Sequence, residues 1–311
     1  MLKYIGKRIL WMIPVLIGVT LLLFLMQSIT PGDPADLALG ENATAAQKTE
    51  WRERYGLEDP ILVQYGKYMW NIISKVDFGN SYKTGKPVTR QILQRWPTTF
   101  LLAFLTTIVS ALIGVTLGIF SALYRGKWFD NVARFFGMLG ISMPNFWFAL
   151  LLIQLFALRL KVLPVSGWYG PKYWILPSLT LGILGSASLL RITRSAMLDN
   201  IQADYVRTAR AKGQRESKVT LHHILKNAMI PITTNIGFQF SMGLAGTMVL
   251  EQIFAISGLG NLMVTAINNR DYPQLRGSVI LVAATICVVN LLVDILYALF
   301  DPRVKARYKN S

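Results

Sequence analysis

An all-α, polytopic membrane protein with about six transmembrane helices is what this sequence predicts, and three observations lead there. Apolar residues fill 53% of its 311 positions and charged residues only 15%, whereas soluble domains are about one-quarter charged. Six stretches come close to or exceed the ~20 largely apolar residues that carry a helix across a bilayer: 9–29, 100–123, 135–158, 174–190, 233–250 and 278–300. The Lys and Arg residues gather at the ends of these stretches, as membrane topology requires.

The first stretch follows Lys3, Lys7 and Arg8, the pattern of a signal peptide. It is longer than a typical signal core, however, and runs into SITPGDP without an A-x-A-like cleavage site, so an uncleaved first helix is expected. PGDP at Pro31–Pro34 then breaks the chain, because proline resists helix continuation. Within 30–99, a helix is expected over 45–55, with Thr44 as its N-cap and Gly56 as its stop. A second, over 64–73, carries Tyr65, Tyr68, Met69 and Trp70 and is amphipathic enough for an interface. DFGNSY at Asp77–Tyr82 reads as turns. About 70 residues is too long for a mere connector, so this segment is expected to form a small extracytoplasmic cap that touches a delivery protein.

Pro144 lies in the third stretch and Pro177 in the fourth; bundle partners can satisfy the backbone groups such prolines free. The third is either one span or two shorter helices broken at Pro144. Farther on, Gly258 and Gly260 permit a tight turn, and Asp301-Pro302 stops the last helix.

The formal net charge is +16. With the N-terminus inside, eighteen Lys and Arg fall in segments that would be cytoplasmic and five in the two short outer loops; the other nine lie in 30–99, where length makes the bias uninformative. Both termini are therefore expected inside. The same distribution argues against nucleic acid, since no basic stripe interleaved with aromatics is present.

Chemistry within the chain is not expected. GNSYKTGKP at Gly79–Pro87 misses the phosphate-binding GxxxxGK[ST] loop, with its first glycine one residue too far away and Pro87 where a hydroxyl is needed. His222 and His223 are adjacent and point apart on a helix, with no ligand-spaced Cys or carboxylate around them, so no metal site is expected. Cys287 lies alone in the last span, which excludes a disulfide framework. No nucleophile elbow or HExxH appears, and no catalytic residue is assigned.

Ionisable groups near the spans are Glu251, Arg191, Arg194 and Asp294. The two arginines read as helix-end charges that snorkel to water. Asp294, in apolar surroundings, is expected to pair with a cation at similar depth such as Arg191.

The most informative stretch is DYVRTARAKGQRESKVTLHHILKNAMIP at Asp204–Pro231, a basic amphipathic hairpin between two spans. It resembles the EAA loop of ABC-importer permeases, the cytoplasmic element that docks on the ATPase subunit. Ala209 and Ala211 stand at the small positions and Gly213 at the glycine, with a second helix expected over 218–227. Arg207-Thr208-Ala209 replaces the common Glu-Ala-Ala, and Lys226 stands where a proline often follows Ile-Leu. PGDP, YGL at Tyr55–Leu57, PTT at Pro97–Thr99, SMPNFW at Ser142–Trp147, FAISGLG at Phe254–Gly260, RDYP at Arg270–Pro273 and DPR at Asp301–Arg303 extend the likeness over essentially the whole chain, to the B-type permease subunit of the oligopeptide/dipeptide/nickel branch.

That resemblance implies the ABC type I importer permease fold. It divides the chain into a first transmembrane helix (1–29), an extracytoplasmic segment (30–99), a permease core (100–301) with the coupling hairpin at 200–230, and a cytoplasmic tail (302–311). Asp204, Arg207, Thr208, Ala209, Arg210, Ala211 and Gly213 would couple to the ATPase. The implied partners are a homologous second permease, two ATPase subunits that bind ATP and magnesium, and an extracytoplasmic solute-binding protein, in a bacterial or archaeal cytoplasmic membrane. Di- and oligopeptides are the implied cargo; nickel, glutathione and oligosaccharides are carried by relatives. The alternative of a different class is an ion-coupled secondary transporter, whose inverted repeats are not evident.

Overall fold

The structure, a computed structural model, describes residues 2–30, 32–40 and 42–300. Pro31, the expected helix stop at Asp301-Pro302 and the 302–311 tail lie outside the described residues. Thirteen α-helices follow one another: α1 (Leu2–Ile29), α2 (Pro34–Leu39), α3 (Ala45–Arg54), α4 (Ile61–Lys75), α5 (Val88–Leu123), α6 (Trp128–Ser142), α7 (Asn145–Leu152), α8 (Pro171–Ile201), α9 (Asp204–Ala211), α10 (Glu216–Lys218), α11 (Lys226–Ile253), α12 (Leu259–Asn268) and α13 (Tyr272–Phe300). π-helical stretches extend α7 over Ile153–Arg159 and join α10 to α11 over Val219–Leu225. Among the described residues there is no strand, only an isolated bridge between Asn80 and Pro87.

Among the described residues four helices are long and apolar enough to cross a membrane: α1, α5, α8 and α13. The 135–158 stretch is not one straight span. α6 and α7 meet at a 108° bend, with Met143 extended (ψ 131°) before Pro144. The proline ring disfavours the helical conformation of the residue before it, so the break falls there. Pro177, by contrast, lies inside an unbroken α8. The expected fifth span is part of the 28-residue α11, in which no 18-residue stretch is apolar enough to join those four; it carries bonded polar groups. Gln239 accepts from the Ser110 hydroxyl at 2.7 Å and donates to the Gly185 carbonyl at 3.0 Å; Ser241 lies 2.9 Å from the Asn290 amide oxygen. Polar groups in spans are tolerated when neighbouring helices satisfy them.

The chain forms two compact units. The larger is built on Phe100–Ile256 and the smaller on Gly6–Thr99 with Ser257–Cys287. In the larger, α5 and α8 approach closely at Gly114 and Gly118, four residues apart. A Cβ on Gly114 would lie 2.6 Å from Leu189 Cβ, and one on Gly118 2.5 Å from Thr193 Cβ. Small residues at this spacing let two backbones touch, and packing of this kind holds helices together where lipid is as apolar as leucine. One core joins Leu102, Leu152, Leu176, Leu250 and Phe254; a second joins Met197, Val206, Val219, Ile224 and Ile232.

In the smaller unit the local expectations appear residue by residue. Thr44 and Gln47 form a reciprocal capping box at the start of α3. The helix ends where Gly56 turns left-handed (φ +66°), with the Leu57 N–H donating to the Arg52 carbonyl at 2.9 Å. α4 packs Tyr68 inward, where the Arg276 guanidinium sits 4.7 Å from its ring centre and 4.0 Å from that of Phe24. Trp51, Tyr55 and Tyr82 pack together with ring centres 4.5–5.0 Å apart. The expected glycine turn at 258–260 is corrected. Gly258 caps α12 in an extended conformation and Gly260 is helical, whereas the left-handed position is Ala255 (φ +49°). It is held there because the buried Ile256 donates its N–H to the Glu251 carbonyl at 2.8 Å.

Candidate functional site

The hairpin is built from two short-range rules. α9 opens on Asp204, an acid in the first turn that complements the helix dipole, and Arg207 lies 3.6 Å from its carboxylate on the exposed side. Val206 and Ala209, three residues apart and therefore on one face, are buried, while Arg207, Thr208, Arg210 and Ala211 are exposed. Ala209 therefore packs into the core beneath this exposed face.

The turn that follows is a Schellman motif. Gly213 adopts φ +70°; its N–H donates to Arg210 O at 2.9 Å and the Gln214 N–H to Ala209 O at 3.3 Å. A Cβ on Gly213 would meet nothing within 4 Å, so the requirement for glycine within this chain is conformational. Two side-chain contacts bridge the turn. Arg210 pairs with Glu216 at 2.5 Å, and that hydrogen bond holds the Glu216 carboxyl below the ordinary glutamate range against a weaker opposing effect of burial. Gln214 Oε1 meets His223 Nε2 at 2.8 Å.

The second helix does not end near Asn227 as expected. It runs from Glu216 through the π-helical stretch into α11 without interruption. Lys226, with an N–H that proline lacks, allows this continuation. Val219, Thr220, Ile224 and Ala228 are buried on its inner face. The exposed face carries Arg207, Arg210, Lys212, Arg215, Lys218 and Lys226. A stiff, basic hairpin anchored by an apolar core is the result.

One group escaped the sequence reading. Asp130, at the start of α6, is 1% exposed. Its carboxylate accepts from Arg194 Nε at 2.7 Å and Nη2 at 2.8 Å, from Ser121 Oγ at 2.6 Å and from the Gly126 N–H at 2.9 Å. Arg194 is therefore not a snorkelling helix-end charge. Glu251 is likewise fully buried, with Thr247 Oγ1 3.4 Å away. The ion pairs of the described residues do not join Asp294 to Arg191, whose side chain is exposed on α8, while Asp294 is half-buried on α13. The only forewarning of the Asp130 network was an acid three residues after Lys127 in an otherwise basic loop.

His222 is exposed and His223 half-buried; among the described residues no group of three His, Cys, Asp or Glu is placed to hold a metal ion.

Comparison with known proteins identifies the family. Residues 114–306 match the binding-protein-dependent transport system inner membrane component, and residues 1–103 match the corresponding N-terminal membrane component. The chain belongs to this family of ABC importer permeases. The permease is 40% identical over 309 residues to the glutathione transport system permease protein GsiC of Salmonella typhi, covering 99% of this chain and 100% of that protein. It is 41% identical over the same length and coverage to GsiC of Pectobacterium atrosepticum. The dipeptide transport system permease protein DppB of Alkalihalophilus pseudofirmus is 38% identical over 333 residues, with 98% and 100% coverage. Among solved structures, an inward-facing MetNI methionine ABC transporter chain superposes with a TM-score of 0.58 at 14% identity, covering 68% of the permease and 97% of that chain; this likeness supports the fold. The family match replaces the ion-coupled alternative. The permease is a multi-pass inner-membrane transport component, and its apolar helices α1, α5, α8 and α13 fit that place.

Proposed function

We propose that the permease forms half of the translocation pathway of an importer for di- and oligopeptides. Its partners in this reading are a homologous second permease, two ATPase subunits and an extracytoplasmic solute-binding protein. The observation that carries it is the hairpin: a rigid, exposed basic element with its turn locked at Gly213, in a chain that contains no phosphate-binding loop of its own. ATPase closure would push on Asp204, Arg207, Thr208, Arg210 and Ala211, and the stiff joint would move α8 and α11 as one body. With both termini on the cytoplasmic side, the hairpin faces the ATPases and residues 30–99 face outward. The pairing of Asp294 with Arg191 is proposed for another state of the transport cycle.

The cargo reading draws on relatives named for glutathione and dipeptide transport. The complex reconstituted in vesicles with its binding protein should accumulate labelled dipeptide in an ATP-dependent manner, with unlabelled glutathione and nickel as competitors. Uptake of dipeptide that neither competitor reduces supports peptides. Uptake of glutathione alone would reassign the cargo, and accumulation without ATP would overturn the mechanism.

A further inference from the structure

Three segments far apart in the chain meet in the smaller unit around one cavity of about 480 Å³. Gly32, Asp33 and Pro34 form one wall, Leu57 another and Tyr272 a third. The PGDP, YGL and RDYP signals, separate in the sequence, therefore share a site. The volume lies within the roughly 300–1,000 Å³ of small-molecule sites.

The polar groups in its walls are unevenly satisfied. Gln27 and Tyr272 both line the cavity, and Gln27 Oε1 and Tyr272 Oη are buried with no hydrogen-bond partner among the described residues. Buried polar atoms are almost always paired, and a void this large exceeds what one bridging water fills. Asp33 is differently placed. Its carboxylate accepts from the Ala35 N–H at 2.9 Å and from Arg52 Nε at 2.9 Å, with Arg52 Nη2 as a further donor. Arg52 has five N–H donors in a planar fork, so Nε and Nη2 leave others for a second anion. The cavity thus offers a guanidinium edge, a carbonyl acceptor and a hydroxyl, with apolar surface from Phe24 and Leu57.

We propose that this cavity binds the carboxylate end of a short peptide. The terminal carboxylate takes the remaining Arg52 donors, the last amide N–H donates to Gln27 Oε1, and the Tyr272 hydroxyl donates to the carbonyl before it. Phe24 and Leu57 receive the last side chain. This inference rests on the peptide cargo proposed above. It adds a site in the permease itself, where the segment that faces outward in the proposed topology meets α1 and the start of α13.

The assembled complex, without its binding protein and held in phosphatidylcholine nanodiscs, is titrated calorimetrically with tri-alanine and with tri-alanine amide. Tri-alanine should bind, and loss of its carboxylate should weaken binding by roughly tenfold or more, the worth of a charge-assisted hydrogen bond. Tyr272→Phe, which removes one oxygen, should weaken tri-alanine binding roughly fivefold. Arg52→Lys keeps the charge but loses the fork and should cost at least as much. If Arg52→Lys lowers the thermal unfolding temperature, Tyr272→Phe alone decides. Equal affinity for the two peptides, or binding unchanged by Tyr272→Phe, overturns the site. So does tri-alanine binding that vanishes in phosphatidylethanolamine nanodiscs, which would assign the cavity to a lipid headgroup. A complex that transports tri-alanine with its binding protein but does not bind it alone overturns the site and spares the cargo reading; one that neither binds nor transports it overturns both.

Discussion

Arg194 on α8 holds Asp130 on α6 through two parallel hydrogen bonds of 2.7 and 2.8 Å, and the carboxylate is almost wholly buried. Ser121 and the Gly126 N–H also donate to it, and Arg134 Nε lies 3.6 Å away, so one acid ties the end of α5, the turn after it and the start of α6 to α8. α8 continues to Ile201, and only Gln202 and Ala203 separate it from the hairpin helix. The pair therefore fastens the core at the base of the proposed ATPase-contacting element.

Asp130→Asn leaves a guanidinium without its counter-charge. Removing one partner of a buried pair costs about 3–5 kcal/mol, read as a lower unfolding temperature of the purified complex. Arg194→Gln in the same chain should recover part of the loss. A double-mutant cycle with a coupling energy indistinguishable from zero would show that the two do not act together.

Gly213 tests what its turn demands. With no neighbour to meet a Cβ, the obstacle to other residues is the left-handed backbone, which a β-branched residue resists and asparagine accepts. Gly213→Val should leave membrane insertion intact and abolish substrate-stimulated ATP hydrolysis by the reconstituted complex, whereas Gly213→Asn should retain most of it. Loss of activity in both variants would point instead to close approach of a partner at this position.

The Arg210–Glu216 pair gives the hairpin turn an acid limit. The folded Glu216 carboxyl is held below its ordinary value, about 4.5, so the pair stabilises the turn above that pH and its contribution is lost as pH falls through the lowered value. Both side chains are largely exposed, which keeps the effect small and salt-sensitive. Amide hydrogen exchange at Gly213 and Gln214, corrected for the intrinsic pH dependence, should show protection decreasing in acid. Glu216→Gln should remove the acid dependence.

Topology can be read by labelling. Ser81 is unsuitable as a reporter, because its hydroxyl is buried against Asp271. Lys83 and Ser217 are exposed. In a background with Cys287 replaced, an impermeant maleimide applied to intact cells should modify a Lys83→Cys variant and miss Ser217→Cys. The reverse pattern would invert the proposed orientation.

Much of the fold was legible because its causes are local. Hydrophobic length marked α1, α5, α8 and α13, and the Thr44 cap and Gly56 stop bounded α3 as expected. Gly213 was expected between the two hairpin helices, and its backbone there is left-handed. The reading faltered where a local signal had two outcomes. Pro177 sits inside an intact helix and Pro144 lies at a 108° break, although both are prolines in apolar runs. Ala209 and Ala211 were both small positions of the hairpin pattern, yet only Ala209 turns into the core.

Apolar length, helix caps and turn residues are encoded within a few neighbouring positions, so the long membrane helices, the Thr44 cap, the Gly213 bend and the chain's place in a membrane were legible before the fold was known. Tertiary structure decided which charges are buried and with whom. Asp130 finds Arg194 64 residues away, and Ser81 finds Asp271 at a separation of 190. A charge at a helix end reads identically whether water or another helix lies beside it. Only the packing of one helix face on another distinguishes the two, and it is also what brings PGDP, YGL and RDYP around one cavity.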